Sequence, residues 1–236
     1  MKLLAIETAT EACSVALWSD GEVRERFEIA PRRHAELVLP WCDALLAEAG
    51  VSRSQLDAIA VGRGPGAFTG VRLAIAVAQG IALGLDRPLV PVSTLQVLAA
   101  GANAKDGERV LAAIDARMHE VYWASYRQHD GLPQETASEA VAAPASVHIE
   151  GEGWHGIGTG FSAGDGELAT RLASQLTTID ATALPHATDL ARLASAAFAR
   201  GGAISPDLVE PAYLRNNVAL TLVEQQAARA DKEASR

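Results

Sequence analysis

The sequence predicts an α/β protein made of two similar halves, each a mixed sheet flanked by helices. Three observations carry this. Over residues 2–102, short apolar runs and stretches of three-to-four-residue periodicity alternate in the order β-β-β-α-β-α-β-α. The segment 109–126 then repeats the opening hairpin. Ala112-Ala113-Ile114-Asp115 answers Leu4-Ala5-Ile6-Glu7, an apolar run that ends in an acid, turns and returns as a second strand. Between the two lies a polar, hinge-like stretch, Gly101–Gly107 (GANAKDG), which sets the halves at 1–102 and 103–215, with a polar helix or tail at 216–236.

Element by element, 2–7 (KLLAIE) and 13–18 (CSVALW) read as strands. Asp20-Gly21 is a tight-turn signal, and 22–29 (EVRERFEI) alternates as a third strand. Residues 31–49 form a helix, with Leu37, Val38, Trp41, Leu45 and Ala49 recurring at helical spacing and Gly50 as its stop. A buried strand at 57–61 leads through a glycine-rich turn at 62–70 into a second helix over 70–85. Leu89–Val92 is a fifth strand, and Ser93–Ala102 a third helix. In the second half, strands at 109–115 and 120–126 precede a loop-rich region at 130–155 and a glycine-rich run at 156–166. Helices are expected near 166–175 and 188–200.

Composition narrows the function. The chain of 236 residues is 49% hydrophobic and 21% charged, ordinary for a soluble globular protein. Its net charge of −9 opposes phosphate backbones, so a partner is expected to supply the basic surface for any nucleic acid. Two cysteines, Cys13 and Cys42, have no metal-like spacing and fit a reducing cytoplasm as small core residues. Met1-Lys2 runs straight into the first strand with no signal-peptide pattern. The apolar stretch Val71–Leu85 is shorter than the roughly 20 residues that a membrane span needs.

Chemistry-bearing residues are few. Gly62-Arg63-Gly64-Pro65-Gly66-Ala67-Phe68-Thr69-Gly70 joins a strand to a helix, where backbone N–H groups can cradle an anion, but it lacks the P-loop ending and the dinucleotide spacing. It reads equally as a turn that admits only small residues. Glu7 and Asp115 end the strands that open the two halves, which is either a place for metal and phosphate or an ordinary hydrogen-bonded turn. The helix after the glycine turn has only Arg72 and Gln79 as polar residues within 71–85. Ala74, Val77, Ala78, Ile81 and Leu85 are assigned to the chain's own sheet. Arg72, Ile75, Ala76, Gln79 and Leu83 form the opposite stripe, expected to meet a protein partner. No histidine pair has the spacing of a helical zinc motif, and no nucleophile is recommended by spacing.

Taken together, ETATEACSVAL, RRHAELVLP, GRGPGAFTGVRLAIAVAQGIALGL, PVSTLQVLA, IDARMHEVYWA and PAYLR resemble the TsaB (YeaZ) family, with the Gly-Pro-Gly-Ala-Phe-Thr-Gly-Val-Arg block the most specific. The resemblance implies a two-lobed actin-like (ASKHA, ribonuclease H-like) fold. It also implies a non-catalytic subunit that binds and activates TsaD, with TsaE, for threonylcarbamoyl transfer to the anticodon-adjacent adenosine of tRNA. In TsaD the metal is held by two histidines four residues apart after the fifth strand; Thr94 and Leu98 stand at those positions here. An alcohol and an alkyl chain cannot replace two imidazoles. Partner contacts are expected from His34, Leu37, Val38, Trp41 and Leu45 together with Arg72, Ile75, Ala76, Gln79 and Leu83. Glu7, Thr8, Gly64, Gly66, Asp115 and Gly158 would form a vestigial phosphate or nucleotide site. No cofactor is expected to bind tightly; ATP or ADP would sit only at an interface with partners. A homodimer of the isolated chain, tRNA contact through the complex and a cytoplasmic location complete the expectation. The alternative is a stand-alone phosphotransferase or peptidase.

Overall fold

The computed structural model describes residues 1–215; the tail expected at 216–236 lies outside them. Strands β1 (Lys2–Glu7), β2 (Ala12–Ser19) and β3 (Glu22–Ile29) form an antiparallel meander. Helix α1 (His34–Ala49), β4 (Ala58–Gly62), α2 (Phe68–Leu85), β5 (Leu89–Val92) and α3 (Thr94–Ala100) follow. The first sheet has the order β3-β2-β1-β4-β5, with β4 and β5 parallel to β1. Every side chain of β1 beyond Lys2 is buried, because both faces of the sheet are covered. Leu4 and Ile6 pack into a cluster with Val38, Leu45, Ala74 and Ile75 of α1 and α2. Leu3 and Ala5 face the other way.

The second half contains β6 (Arg109–Arg117), β7 (Glu120–His129), β8 (Leu132–Ala142), β9 (Trp154–Ile157), α4 (Glu167–Arg171), β10 (Leu176–Asp180) and α5 (Ala187–Ala199). Its sheet runs β10-β9-β6-β7-β8, with β6, β7 and β8 antiparallel and β9 and β10 parallel to β6. The two sheets therefore share one topology, and the duplicated hairpin seen in the sequence extends to all five strands of each half. Sequence periodicity missed β8, β9 and β10. β8 reads LPQETASEAVA, an edge strand with one valine, and β10 is an exposed edge strand of five residues.

Chain order misleads at one boundary. Helix α5 packs against the first sheet, not the second: Leu190, Ala191 and Ala194 bury against Leu3, Ala5, Ala58 and Ala60. Ile204 then bridges to Leu89 of β5. The expected 103–215 lobe thus ends before α5, and the chain returns to the first lobe. Small alanines on that face of β1 and β4 make the close approach of α5 possible. Cys13 and Cys42 are free thiols in the cluster beneath α1.

Candidate functional site

At the end of β1, Glu7 is fully buried. Its Oε1 accepts the Ala9 N–H at 2.8 Å, and its Oε2 accepts the Thr94 hydroxyl at 3.0 Å. Burial pushes its carboxyl up to about 7, against the pull of the hydrogen bonds from Ala9 and Thr94. A side chain at Gly62 would collide with this carboxyl, so the strand β4 must pass it as bare backbone. Four residues beyond Thr94, Leu98 is buried among Leu95, Val110, Ala112 and Ile157. Both positions at which the resemblance places metal-binding imidazoles are thus occupied by interior side chains, one spent on Glu7 and one on packing. This donor set does not fit a divalent ion. Among the described residues one grouping, Asp106, His129 and Asp130, has its ligand atoms within 4.8 Å of one another; it is exposed, and Asp106 already accepts the Asp130 N–H.

Most of the expected phosphate site is closed. The Thr8 hydroxyl donates to the Gly70 carbonyl at 2.7 Å, and Gly64 packs on Val71. Gly158 lies so close to Ala113 and Leu98 that no Cβ fits there. Of the six residues expected at this site, only Gly66 and Asp115 line the open cleft between the lobes, which has a volume of about 770 Å³. Asp115 is held by Arg117, whose backbone N–H and guanidinium each reach it at 2.8 Å. The other walls include His34 and Arg72, expected instead at a partner contact, and Phe68 of the glycine-rich block, together with residues given no role from sequence, among them Arg32, Tyr122, Tyr213 and Arg215. The quoted IDARMHEVYWA and PAYLR segments contain four of these neighbours of the cleft, Arg117, Tyr122, Tyr213 and Arg215, the signal that would have found them.

The partner stripes need correction. Ile75 is 5% exposed and belongs to the core, and Gln79 donates to the carbonyls of Pro206 and, less closely, Val209, so the chain itself covers that side of α2. Arg72 turns to the same returning segment. It donates to the Tyr213 hydroxyl at 2.8 Å while its guanidinium lies 3.3 Å above the Phe68 ring. The exposed face of α2 is instead Thr69, Ala76, Gly80, Leu83 and Gly84, with Leu83 67% exposed. The expected Ala76 and Leu83 are on this face. On α1, Val38 and Leu45 are interior and Leu37 and Trp41 pack half-buried against the same cluster, while Leu39 and Pro40 face out. His34 lines the cleft and its Nε2 lies 3.2 Å from the Ala12 carbonyl. The stripe assigned to the chain's own sheet, Ala74, Val77, Ala78, Ile81 and Leu85, does pack on the first core. What local sequence does not reveal is the 204–213 return, which takes up Gln79 and Arg72 on the side expected to face a partner.

Comparison with known proteins agrees with this geometry. The family model described as "TsaD: tRNA N6-adenosine threonylcarbamoyltransferase" matches residues 27–222. The "tRNA threonylcarbamoyladenosine biosynthesis protein TsaB" of Escherichia coli is 48% identical over 231 residues, covering 93% of this chain and 96% of that one. The Haemophilus influenzae protein of the same description is 39% identical, covering 92% and 95%. The solved structure of "YeaZ from Pseudomonas aeruginosa" superposes with a TM-score of 0.80 at 45% identity, covering 90% of this chain and 99% of that one. The fold is therefore the actin-like ASKHA fold of the YeaZ proteins. With transferase-type metal positions filled by Thr94 and Leu98 and this likeness running nearly end to end, the chain belongs to the TsaB family.

Proposed function

We propose that this chain is the non-catalytic subunit of the machinery that makes threonylcarbamoyladenosine in tRNA. It binds a TsaD-type transferase and, with a TsaE-type ATPase, holds it in its working arrangement. One observation carries the reading: Thr94 and Leu98 are buried and committed to the chain's own interior, so the chain lacks the ligand pair that the resemblance assigns to metal-dependent transfer in TsaD. Its contribution must come through its surface.

The outer face of α2 supports this. Ala76, Gly80 and Gly84 recur every four residues and leave a shallow groove beside the projecting Leu83, and all four are exposed. A second helix can approach such a face closely. The same face is self-complementary, so the isolated chain pairs with a second copy through it. tRNA is engaged in the complex, in the cytoplasm. No cofactor is assigned to the chain alone; ATP or ADP binds at a surface that a partner completes.

The test is co-elution with the host's TsaD-type protein on size exclusion. Leu83→Glu and Ala76→Arg are expected to stay folded and elute apart from it. Undiminished co-elution of both variants would remove the reading. A homodimer that persists in light scattering beside excess TsaD-type protein would do the same.

A further inference from the structure

Among the described residues, eight other than glycine have positive φ. Four are aspartates (Asp20, Asp86, Asp130 and Asp165), a residue type that tolerates this conformation. The other four are Arg32, Arg117, Met118 and His119, with φ of 71°, 64°, 56° and 59°. Arg32 and Arg117 line the inter-lobe cleft, and Met118 and His119 form the adjoining hairpin tip. Two-residue hairpin turns with positive φ at both positions favour Asp-Gly or Asn-Gly. The chain uses Asp20-Gly21 between β2 and β3 and Asp130-Gly131 between β7 and β8. Only between β6 and β7, beside the cleft, does it place Met118-His119 in that conformation, just after a register shift at Asp115–Arg117. Strain retained at one of three equivalent turns points to side chains needed for what they touch.

The rest of the rim has one chemical character. Arg72 is stacked on Phe68 and donates to the Tyr213 hydroxyl; as residues, Phe68 and Tyr213 are 68% and 62% exposed. Met118 is 77% exposed and receives the Arg215 guanidinium at 3.3 Å, while Arg215 also pairs with Glu120. In a chain of net charge −9, this cleft gathers Arg32, Arg72, Arg117 and Arg215 against Glu11 and Asp115. Glu7 and Thr8 are buried, no Cβ fits at Gly158, and none of these residues or Gly64 lines the cleft, so the expected phosphate residues do not form its wall. Exposed aromatic side chains beside guanidiniums along an open cleft suit an extended polyanion with flat groups.

We propose that this rim, made of Arg117-Met118-His119, Tyr213 and the Phe68–Arg72 stack, holds an unpaired stretch of an RNA strand. The inference rests on the proposed function, in which the partner complex brings tRNA to the chain. The test uses the assembled complex with TsaD-type and TsaE-type proteins, unmodified tRNA transcript as probe, and filter binding across salt concentrations with crosslink mapping. Met118→Asn/His119→Gly gives the hairpin its preferred turn residues, so its melting temperature should rise while RNA affinity falls on the order of tenfold. Tyr213→Ala should weaken binding similarly, and Arg117→Gln should flatten the log–log salt slope by about 0.7. Crosslinks should fall on Phe68, Met118 or Tyr213. Unchanged affinity, slope and crosslinks in complexes that still assemble would overturn the inference and leave the scaffold reading intact. A hairpin variant that folds but no longer assembles, with RNA affinity of the remaining complex unchanged, would make the rim a protein contact and overturn it too.

Discussion

Glu7 shows how a strand-ending acid that invites a phosphate reading can instead belong to the interior. It ends the fold's first strand, where a metal or phosphate role was one of two expectations, yet its carboxyl is interior, bonded to Ala9 and Thr94 and pressed against Gly62. Because burial raises its folded value from 4.5 to about 7, the native state binds a proton that the unfolded chain releases. The associated stability is fully present below pH 4.5 and is lost as pH rises through 7. The size is on the order of 3 kcal/mol. Denaturant unfolding at pH 5 and pH 8 should therefore show Glu7→Gln gaining stability over the parent chain at the higher pH. An equal pH dependence in the two proteins would contradict the buried, proton-holding Glu7. The sequence marked Glu7 as a strand-ending acid but not its burial, which depends on Gly62 and Thr94 arriving from elements 55 and 87 residues away.

At the scale of the element, α2 decides the interface. Its inner face is Val71, Ala74, Ile75, Ala78 and Ala82, and its outer face is Ala76, Gly80, Leu83 and Gly84. Glutamate at Ile75 buries an unpaired charge in the core and should cost more than 3 kcal/mol, enough to unfold much of the protein. Glutamate at Leu83 should change unfolding by less than about 0.5 kcal/mol. Circular dichroism with urea titration separates the two; equal losses would mean the helix is rotated from the position described. Strong local patterns were legible: β1 to β5, the Gly50 stop of α1 and the repeated hairpin all follow from apolar runs and turn residues. Edge strands β8 and β10 were not, since alanine, threonine and glutamate on a half-exposed strand carry no clear alternation. An all-apolar helix also gives no internal signal of which side faces in.

On the scale of the molecule, the two lobes are tied through the glycine-rich turn. The Arg63 guanidinium pairs with Glu139 of β8 at 3.1 Å, and the Arg63 carbonyl accepts the Ala212 N–H at 2.8 Å. The returning segment then reaches the β6–β7 hairpin through Arg215, which bonds the Ala116 carbonyl and Glu120. Glu139 is nearly buried, with its Oε1 lacking a partner, while Arg63 is about a third exposed. Arg63→Met should lower the unfolding free energy by about 2 kcal/mol, less than a fully buried pair because solvent screens the arginine. Adding Glu139→Gln should recover part of that loss; no recovery would mean the pair does not hold the lobes. The duplicated topology was visible in the sequence only at its first hairpin, and the return of α5 to the first sheet was invisible, because its partners Leu3, Ala5, Ala58 and Ala60 lie more than 120 residues earlier.

The most direct measurement is threonylcarbamoyladenosine formed on tRNA by purified TsaD-type and TsaE-type proteins, supplied with threonylcarbamoyl-adenylate, with this chain present, absent or carrying Leu83→Glu. Product is expected with the parent chain, at near-background levels without it and with Leu83→Glu, and at full level with Glu7→Gln. Full product without the chain, or loss of product on Glu7→Gln with the complex intact, would contradict a subunit that works through its surface.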